Sequence, residues 1–226
     1  MLDIITKAEY FECLNKNLGS KQDHTLKGIQ DAWILSQFNG WQGQRLLEVG
    51  GGNSRVLPLL SGNQLWNVEK YEGVGNGPVE PEILDGVTVI NAFMGEYHPH
   101  LPQVDAIFSI SVIEHIPFEQ YDDLFQDMAR CLVPNGLSVH AIDLPIKDEP
   151  LPFCAQRIRA LVSAVEKAGL EWLHAPSVDP DAVFTCDMAS NSDLTMWNWA
   201  QISDASRLTG PHAQIVSLKL VARKPS

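Results

Sequence analysis

The sequence predicts an α/β fold, a doubly wound and mostly parallel sheet with helices placed ahead of it, and three observations carry that prediction. An apolar strand, Leu46-Leu47-Glu48-Val49, runs directly into Gly50-Gly51-Gly52-Asn53-Ser54-Arg55. Glycines at such a turn let the backbone reverse sharply and bring main-chain N–H groups within contact distance of a ligand. Further short apolar strands follow, separated by helical patterns. An acidic residue, Glu69, closes the next strand about twenty residues beyond the turn, where a carboxylate can accept hydrogen bonds from both hydroxyls of a ribose.

Each element has its own local signal. Thr6-Lys7-Ala8-Glu9 is a capping box, followed by Phe11, Leu14 and Leu18 before Gly19 as a stop. A second helix is expected from about Thr25 to Phe38, with Leu26, Ile29, Trp33 and Leu35 turned inward before Gly40. After the glycine turn a helix is expected to start at Asn53 or Ser54, either of which can cap it. Pro58 is tolerated there only in or close to a first turn. Leu65 to Val68 reads as a strand ending at Glu69. Val87 to Ile90 suits a buried strand, with Asn91, Ala92, Phe93 and Met94 at its end.

Asp105 to Ile110, which contains Ser109, is the following strand and runs into Ser111-Val112-Ile113-Glu114-His115-Ile116-Pro117. Pro117 then opens a helix whose apolar residues Tyr121, Leu124, Phe125, Met128 and Leu132 keep the 3.6-residue period. Pro134-Asn135-Gly136 ends it, and Leu137 to Ile142 forms another strand, with His140 and Asp143 near its end. A proline-rich loop from Leu144 to Pro152 leads to a helix from Gln156 to Ala168, stopped by Gly169. Two connections look suited to ligand contact: Tyr71 to Pro78, beside Glu69, and Val183 to Ala200, which mixes Trp197 and Trp199 with Asn and Asp side chains. Core packing of the two tryptophans competes with that reading. Gln214 to Ala222 is the last strand.

Composition narrows the function classes. The chain has 226 residues, 45% hydrophobic and 19% charged, enough for one α/β domain with a full core. Its formal charge of −12 argues against a nucleic-acid partner, because phosphate backbones are bound through dense Lys and Arg contacts. No apolar run is long enough to span a membrane, and the N-terminus lacks a signal-peptide pattern, so a soluble cytoplasmic protein is expected. Cys13, Cys131, Cys154 and Cys186 are widely spaced and suggest neither a zinc knuckle nor a disulfide framework.

Two cofactor classes compete for the glycine turn. A dinucleotide fingerprint needs a third small residue to bring helix and sheet together, and Arg55 occupies that region. The segment resembles instead the E/D-x-G-x-G-x-G motif of class I S-adenosylmethionine-dependent methyltransferases, with Glu48, Gly50 and Gly52 matching and Ser54 in place of the last glycine. The S-x-x-E-H-I run at Ser111 to Ile116 and the L-x-P-x-G turn at Leu132 to Gly136 are similar to features of that family in the same order. The resemblance spans roughly residues 44 to 145. It implies a seven-stranded Rossmann-like sheet over residues 1–226 as a single domain, with a helical cap at 1–43, a cofactor-binding core at 44–145 and a substrate side at 146–226.

The same resemblance implies S-adenosyl-L-methionine as cofactor. Glu48, Gly50, Gly51 and Gly52 would lie under its methionine portion, Glu69 on its ribose, the turn Asn91, Ala92, Phe93 and Met94 near adenine, and Ser109 and Ser111 alongside. A small hydroxylated metabolite or a sugar or glycan is the expected acceptor, since no N-P-P-Y or D-P-P-Y tetrapeptide follows the strand that ends at Ile110. For a hydroxyl acceptor a general base helps, and His suits that role near neutral pH. His115 is the first candidate, with His140 and Asp143 next. Some relatives of this fold bind a divalent cation through E-x-x-E-H, but Ser111 replaces the first carboxylate here, so metal-free catalysis is expected. The rival readings are an N-methyltransferase of a small molecule, a non-catalytic binding or scaffold protein that keeps the fold, and an enzyme that uses the same cofactor for another reaction.

Overall fold

A computed structural model describes residues 1–19, 25–73, 78–81, 83–146, 151–181 and 214–226, and the backbone of 197–198. Parts of both connections singled out for ligand contact, 74–77 and most of 183–200, lie outside the described residues, as does Cys186. One sheet runs through the molecule. Its strands are β1 (Leu2–Ile4), β2 (Arg45–Val49), β3 (Gln64–Glu69), β4 (Val87–Asn91), β5 (Val104–Ile110), β6 (Leu132–Ile146), β7 (Glu171–Trp172), β8 (Trp197–Asn198) and β9 (Gln214–Arg223). The order is β1-β9-β6-β5-β2-β3-β4, with the two-residue β7 and β8 paired to β9. β4, β3, β2, β5 and β6 are mutually parallel, while β9 is antiparallel to β6 and β1 to β9.

Helices cover both faces. On one face lie α1 (Lys7–Asn15) and α2 (Leu26–Gln37), packed on Leu46, Phe108, Val139, Ala141 and Val221; on the other, α3 (Tyr121–Cys131) and α4 (Pro152–Lys167) cover Leu47, Ile107, Ile142 and Leu218. The split follows the strand period of two, since neighbours such as Leu46 and Leu47 point to opposite faces. α1 begins with the expected capping box: Thr6 Oγ1 accepts from Glu9 N at 3.2 Å while Glu9 Oε2 accepts from Thr6 N at 2.9 Å. Thr25 caps α2 through Gly28 N at 3.1 Å. Phe108 is fully buried and its ring lies 5.4 Å from that of Phe38 on α2's C-cap. Truncating it to Ala would cost about 3–5 kcal/mol.

Four features differ from the sequence expectation. β1 is an additional antiparallel strand. The helix expected after the glycine turn is a single 3₁₀ turn, Leu57–Leu60, because Pro58 sits within it and Gly62, at φ +91°, ends it at once. The N-cap is Val56, which has no capping side chain, rather than Asn53 or Ser54; Ser54 lies two residues ahead of it, its Oγ accepting from Val56 N at 3.2 Å and Leu57 N at 3.0 Å. β4 is half-exposed rather than buried, because it forms the outer edge of the sheet. β6 is longer than expected and includes Asn135, at φ +64°, so His140 lies in mid-strand and not at its end. Among the described residues, no helix is long and apolar enough to cross a membrane.

Candidate functional site

The strand order places the site. From β2 the chain steps outward to β3 and β4 and then returns to β5 on β2's other side, so connections leave the carboxyl ends of β2 and β5 in opposite directions and open a crevice between them. The glycine turn leaves β2 there, and Ser111 to His115 leave β5. Gly50 has φ +67°, a conformation that disfavours any residue with a Cβ. A Cβ on it would stand 2.7 Å from Val112 Cγ2, so the two sides of the crevice meet at a point only glycine allows.

β3 holds the turn in shape. Gly50 N donates to Val68 O at 2.7 Å, Gly51 N to Asn67 Oδ1 at 3.1 Å, and Asn67 Nδ2 to Gly52 O at 2.9 Å. Asn67 is a functional residue the sequence reading missed. Its signal was a buried-strand position, in Leu65-Trp66-Asn67-Val68, filled by a side chain with both a donor and an acceptor. Under Gly51 lies Glu48, buried, with Oε2 left without a partner among the described residues. Burial pushes its carboxyl up to about 7, against the stabilising effect of the Ser54 hydroxyl.

Glu69 stands at the carboxyl end of β3, in register with Asn91 at the end of β4. Its Oε1 accepts from Lys70 N at 2.9 Å, which fixes the carboxylate against the strand end. Asn91 is exposed, and Ala92 and Phe93 are half-buried beside it. Met94 is different: its side chain is buried in the core against α3 and does not face the crevice. Asp127 of α3 anchors the same turn by accepting from Gly95 N at 3.0 Å.

On the β5 side, the sequence-predicted residues divide into two groups. Ser109 and His140 point into the α3-covered face. Ser109 Oγ is 2.8 Å from His140 Nδ1, Ser138 Oγ is 2.7 Å from Nε2, and the Phe125 ring stands edge-on to the imidazole. Both ring nitrogens are used, and complete burial lowers the His140 pKa to about 3. His140 is therefore a neutral core histidine, which corrects the expectation that it could serve as a base. Ser109, occupied with it, does not reach the crevice.

Ser111, Glu114, His115 and Asp143 are brought together. Ser111 has φ +52°, a strained value for a residue with a Cβ. Its hydroxyl lies 2.8 Å from Gln30 Oε1 and 2.7 Å from Asp143 Oδ1, to either of which it donates. Gln30, completely buried on α2, closes the network by donating from Nε2 to Asp143 Oδ1 at 2.6 Å and to Ser217 Oγ at 3.0 Å. Asp143 Oδ2 faces Lys27 Nζ at 3.9 Å. From α4, Arg157 donates to the Asp143 carbonyl at 3.2 Å and to the Glu114 carbonyl at 2.7 Å. His115 has a side chain 55% exposed, with Nε2 3.9 Å from Glu114 Oε1, and partial burial holds its pKa below the ordinary value. Lys27, Gln30 and Arg157 gave no sequence signal, since nothing in their own segments marks them as partners of residues in other elements of the fold. No group of three or more His, Cys, Asp or Glu residues suited to a metal ion occurs among the described residues.

No family model matches the chain, and no curated protein matches it. Solved structures do. It is similar to a phosphoethanolamine N-methyltransferase 2 of Haemonchus contortus, solved with S-adenosyl-L-methionine, at TM-score 0.55 and 18% identity over 85% of this chain and 51% of that one. The chain thus spans about half of that protein. A Galdieria sulphuraria protein, provisionally described as a sarcosine dimethylglycine methyltransferase, aligns at TM-score 0.53 and 17% identity over 85% and 84% of the two chains. A TehB-like S-adenosylmethionine-dependent methyltransferase of Corynebacterium glutamicum aligns at TM-score 0.50 and 14% identity over 96% and 97%. Strand order, the crevice beside β2 and these likenesses together show that the chain has the fold of the class I S-adenosylmethionine-dependent methyltransferases.

Proposed function

We propose that the protein is a methyltransferase that uses S-adenosyl-L-methionine to methylate a small-molecule acceptor, with a hydroxyl as the first-choice acceptor. The observation that carries this reading is the Gly50 cradle: a backbone turn at φ +67° in contact with Val112 across the crevice, with Glu69 one strand away. The residues present fit the cofactor. The backbone of Gly50 to Gly52 offers close approach to its methionine portion, Glu69 offers a carboxylate to two ribose hydroxyls, and Asn91 to Phe93 offer a half-open flank to adenine. When bound, S-adenosylmethionine supplies a methyl group on a sulfonium. The chain itself has to orient the acceptor, exclude water and remove one proton.

Those tasks fall to the β5 and β6 ends. Gln30, Ser111 and Asp143 brace that edge, and the half-exposed imidazole of His115, its pKa lowered by burial, would take the proton of an acceptor hydroxyl. A second reading, an amine acceptor, is supported by the unpartnered carboxyl of Glu114 at the same edge. The methyltransferase from Haemonchus contortus is named as an N-methyltransferase, which is in keeping with that reading. The test is incubation with methyl-labelled S-adenosylmethionine and separate panels of small alcohols, sugars and amines. Label is expected in a hydroxyl compound and lost in His115→Ala, which still binds S-adenosylhomocysteine. Label in amines alone selects the second reading, and donor binding without transfer to any panel supports a non-catalytic binding protein.

A further inference from the structure

Glu114 sits on the 3₁₀ turn Ile113–His115, directly after β5. Its side chain is 6% exposed, and neither carboxylate oxygen has a hydrogen-bond partner among the described residues. A buried carboxylate without a partner is strongly unfavourable, so such a group either holds a proton or meets a charge from outside.

The surrounding cations supply that charge only in part: Lys27 and Arg157 pull the Glu114 pKa down from a distance, less than burial and Asp143 push it up, and neither hydrogen-bonds to the carboxyl. Arg157, from α4, spends Nη1 and Nη2 on the carbonyls of Asp143 and Glu114 and lays its guanidinium 4.3 Å from the centre of the Phe153 ring. Lys27, from α2, faces Asp143 at 3.9 Å and acts on Glu114 only through its charge. His115, its neighbour, has Nε2 3.9 Å from Glu114 Oε1, and burial lowers its pKa. Tyr121, from α3, donates its hydroxyl to the Ile113 carbonyl at 3.1 Å. Asp143, from β6, adds a second negative charge. Burial first, and Asp143 next, drive the Glu114 pKa well above the ordinary carboxylate range.

We infer that Glu114 is the receptor for a small organic cation at the carboxyl end of β5, either the sulfonium of the methyl donor or an ammonium group of the acceptor. The inference rests on the cofactor site proposed above. Binding of the cation breaks the Glu114 O–H bond, the proton passes to solvent, and the carboxylate left behind pairs with the bound charge. Charge in the pocket is conserved: one cation enters as one proton leaves. Loss of the sulfonium charge when the methyl is transferred would then let the proton return and weaken the hold on the product.

Isothermal titration at pH 7 in two buffers of different ionisation enthalpy tests this on the whole chain. S-adenosylhomocysteine, which lacks the sulfonium and keeps the amino-acid ammonium, reports the rest of the cofactor site; its failure to bind would count against the proposed function and not against Glu114. In the sulfonium arm, S-adenosylmethionine is expected to release protons that S-adenosylhomocysteine does not, and to be favoured over S-adenosylhomocysteine about tenfold more in the wild type than in Glu114→Gln, equivalent to about 1.4 kcal/mol. In the ammonium arm, methylammonium and ethanolamine are titrated with and without S-adenosylhomocysteine. Proton release there, absent in Glu114→Gln, assigns the cation to the acceptor. The wild-type difference in proton release between S-adenosylmethionine and S-adenosylhomocysteine needs no variant, so it stands even if Glu114→Gln fails to fold. Absence of proton release in both arms overturns the inference.

Discussion

The two sides of the crevice are shaped by different means. On the β2 side the turn is a backbone object: three consecutive glycines, of which Gly50 is tied to β3 by a main-chain bond and Gly51 and Gly52 are buttressed by the Asn67 side chain. On the β5 side the edge is a side-chain object, assembled from Lys27 and Gln30 on α2, Ser111 to His115 after β5, Asp143 on β6, Arg157 on α4 and Ser217 on β9. The first is set by sterics over a few residues, the second by hydrogen bonds over distant ones. Damage to each should therefore show up differently, the first in ligand affinity and backbone strain together, the second mainly in stability and turnover.

Gly50→Val should have the largest effect. The left-handed backbone costs a β-carbon residue about 1–2 kcal/mol and the overlap with Val112 about 1–3 kcal/mol more. Urea unfolding should show that loss, and S-adenosylhomocysteine affinity should fall at least about 100-fold. Pairing Gly50→Ala with Val112→Ala separates the causes, since the double variant recovers the overlap and keeps the strain.

Gln30→Leu comes next. It leaves Asp143, Ser111 and Ser217 short of partners and should cost about 2–4 kcal/mol of stability, while S-adenosylhomocysteine affinity stays within about threefold. A loss of affinity as large as the loss of stability would erase the contrast between the two sides.

A pH series sharpens the comparison within the β2 side. Glu48 rises from 4.5 to about 7 on folding, so between those values the folded state holds a proton that the unfolded chain has lost, and stability falls as pH rises. Glu48→Gln removes that dependence, so variant minus wild type should climb by about 1.4 kcal/mol per pH unit across the window. His140 works in the opposite sense. Its folded value near 3 means that stability present above about 6.5 is lost as pH falls toward 3. Equal pH profiles for Glu48→Gln and wild type would show that Glu48 is not held protonated under the turn.

The smallest effect belongs to the Arg55–Asp31 pair, which links the residue after the turn to α2 through two bonds of 2.7 and 2.8 Å at the surface. Arg55→Ala should cost no more than about 1 kcal/mol by thermal unfolding. A larger loss would mean that α2 braces the glycine turn as well as the β5 edge.

The same division explains what the sequence revealed. Glu48 to Ser54 and Glu69 are legible because turn chemistry and strand ends are local, and α1, α2 and α3 are announced by Thr6 and Glu9, by Thr25, and by the spacing of Tyr121, Leu124, Phe125 and Met128. Gln30, Asn67 and Arg157 were not legible, since their roles depend on what the sheet brings beside them. His140 misled for a related reason. Histidine near the end of a strand suggests chemistry, but β6 continues past it and Ser109, from the neighbouring strand, takes one of its nitrogens. Met94 misled because its side chain is buried in the core.

The most direct test of the central claim is titration of the purified wild type and Glu69→Ala with S-adenosylhomocysteine. The account predicts micromolar binding to the wild type, weakened about 10–100-fold in Glu69→Ala through the loss of bonds to two ribose hydroxyls, with stability unchanged within about 0.5 kcal/mol. No binding at millimolar ligand, or equal binding by both proteins, would contradict it.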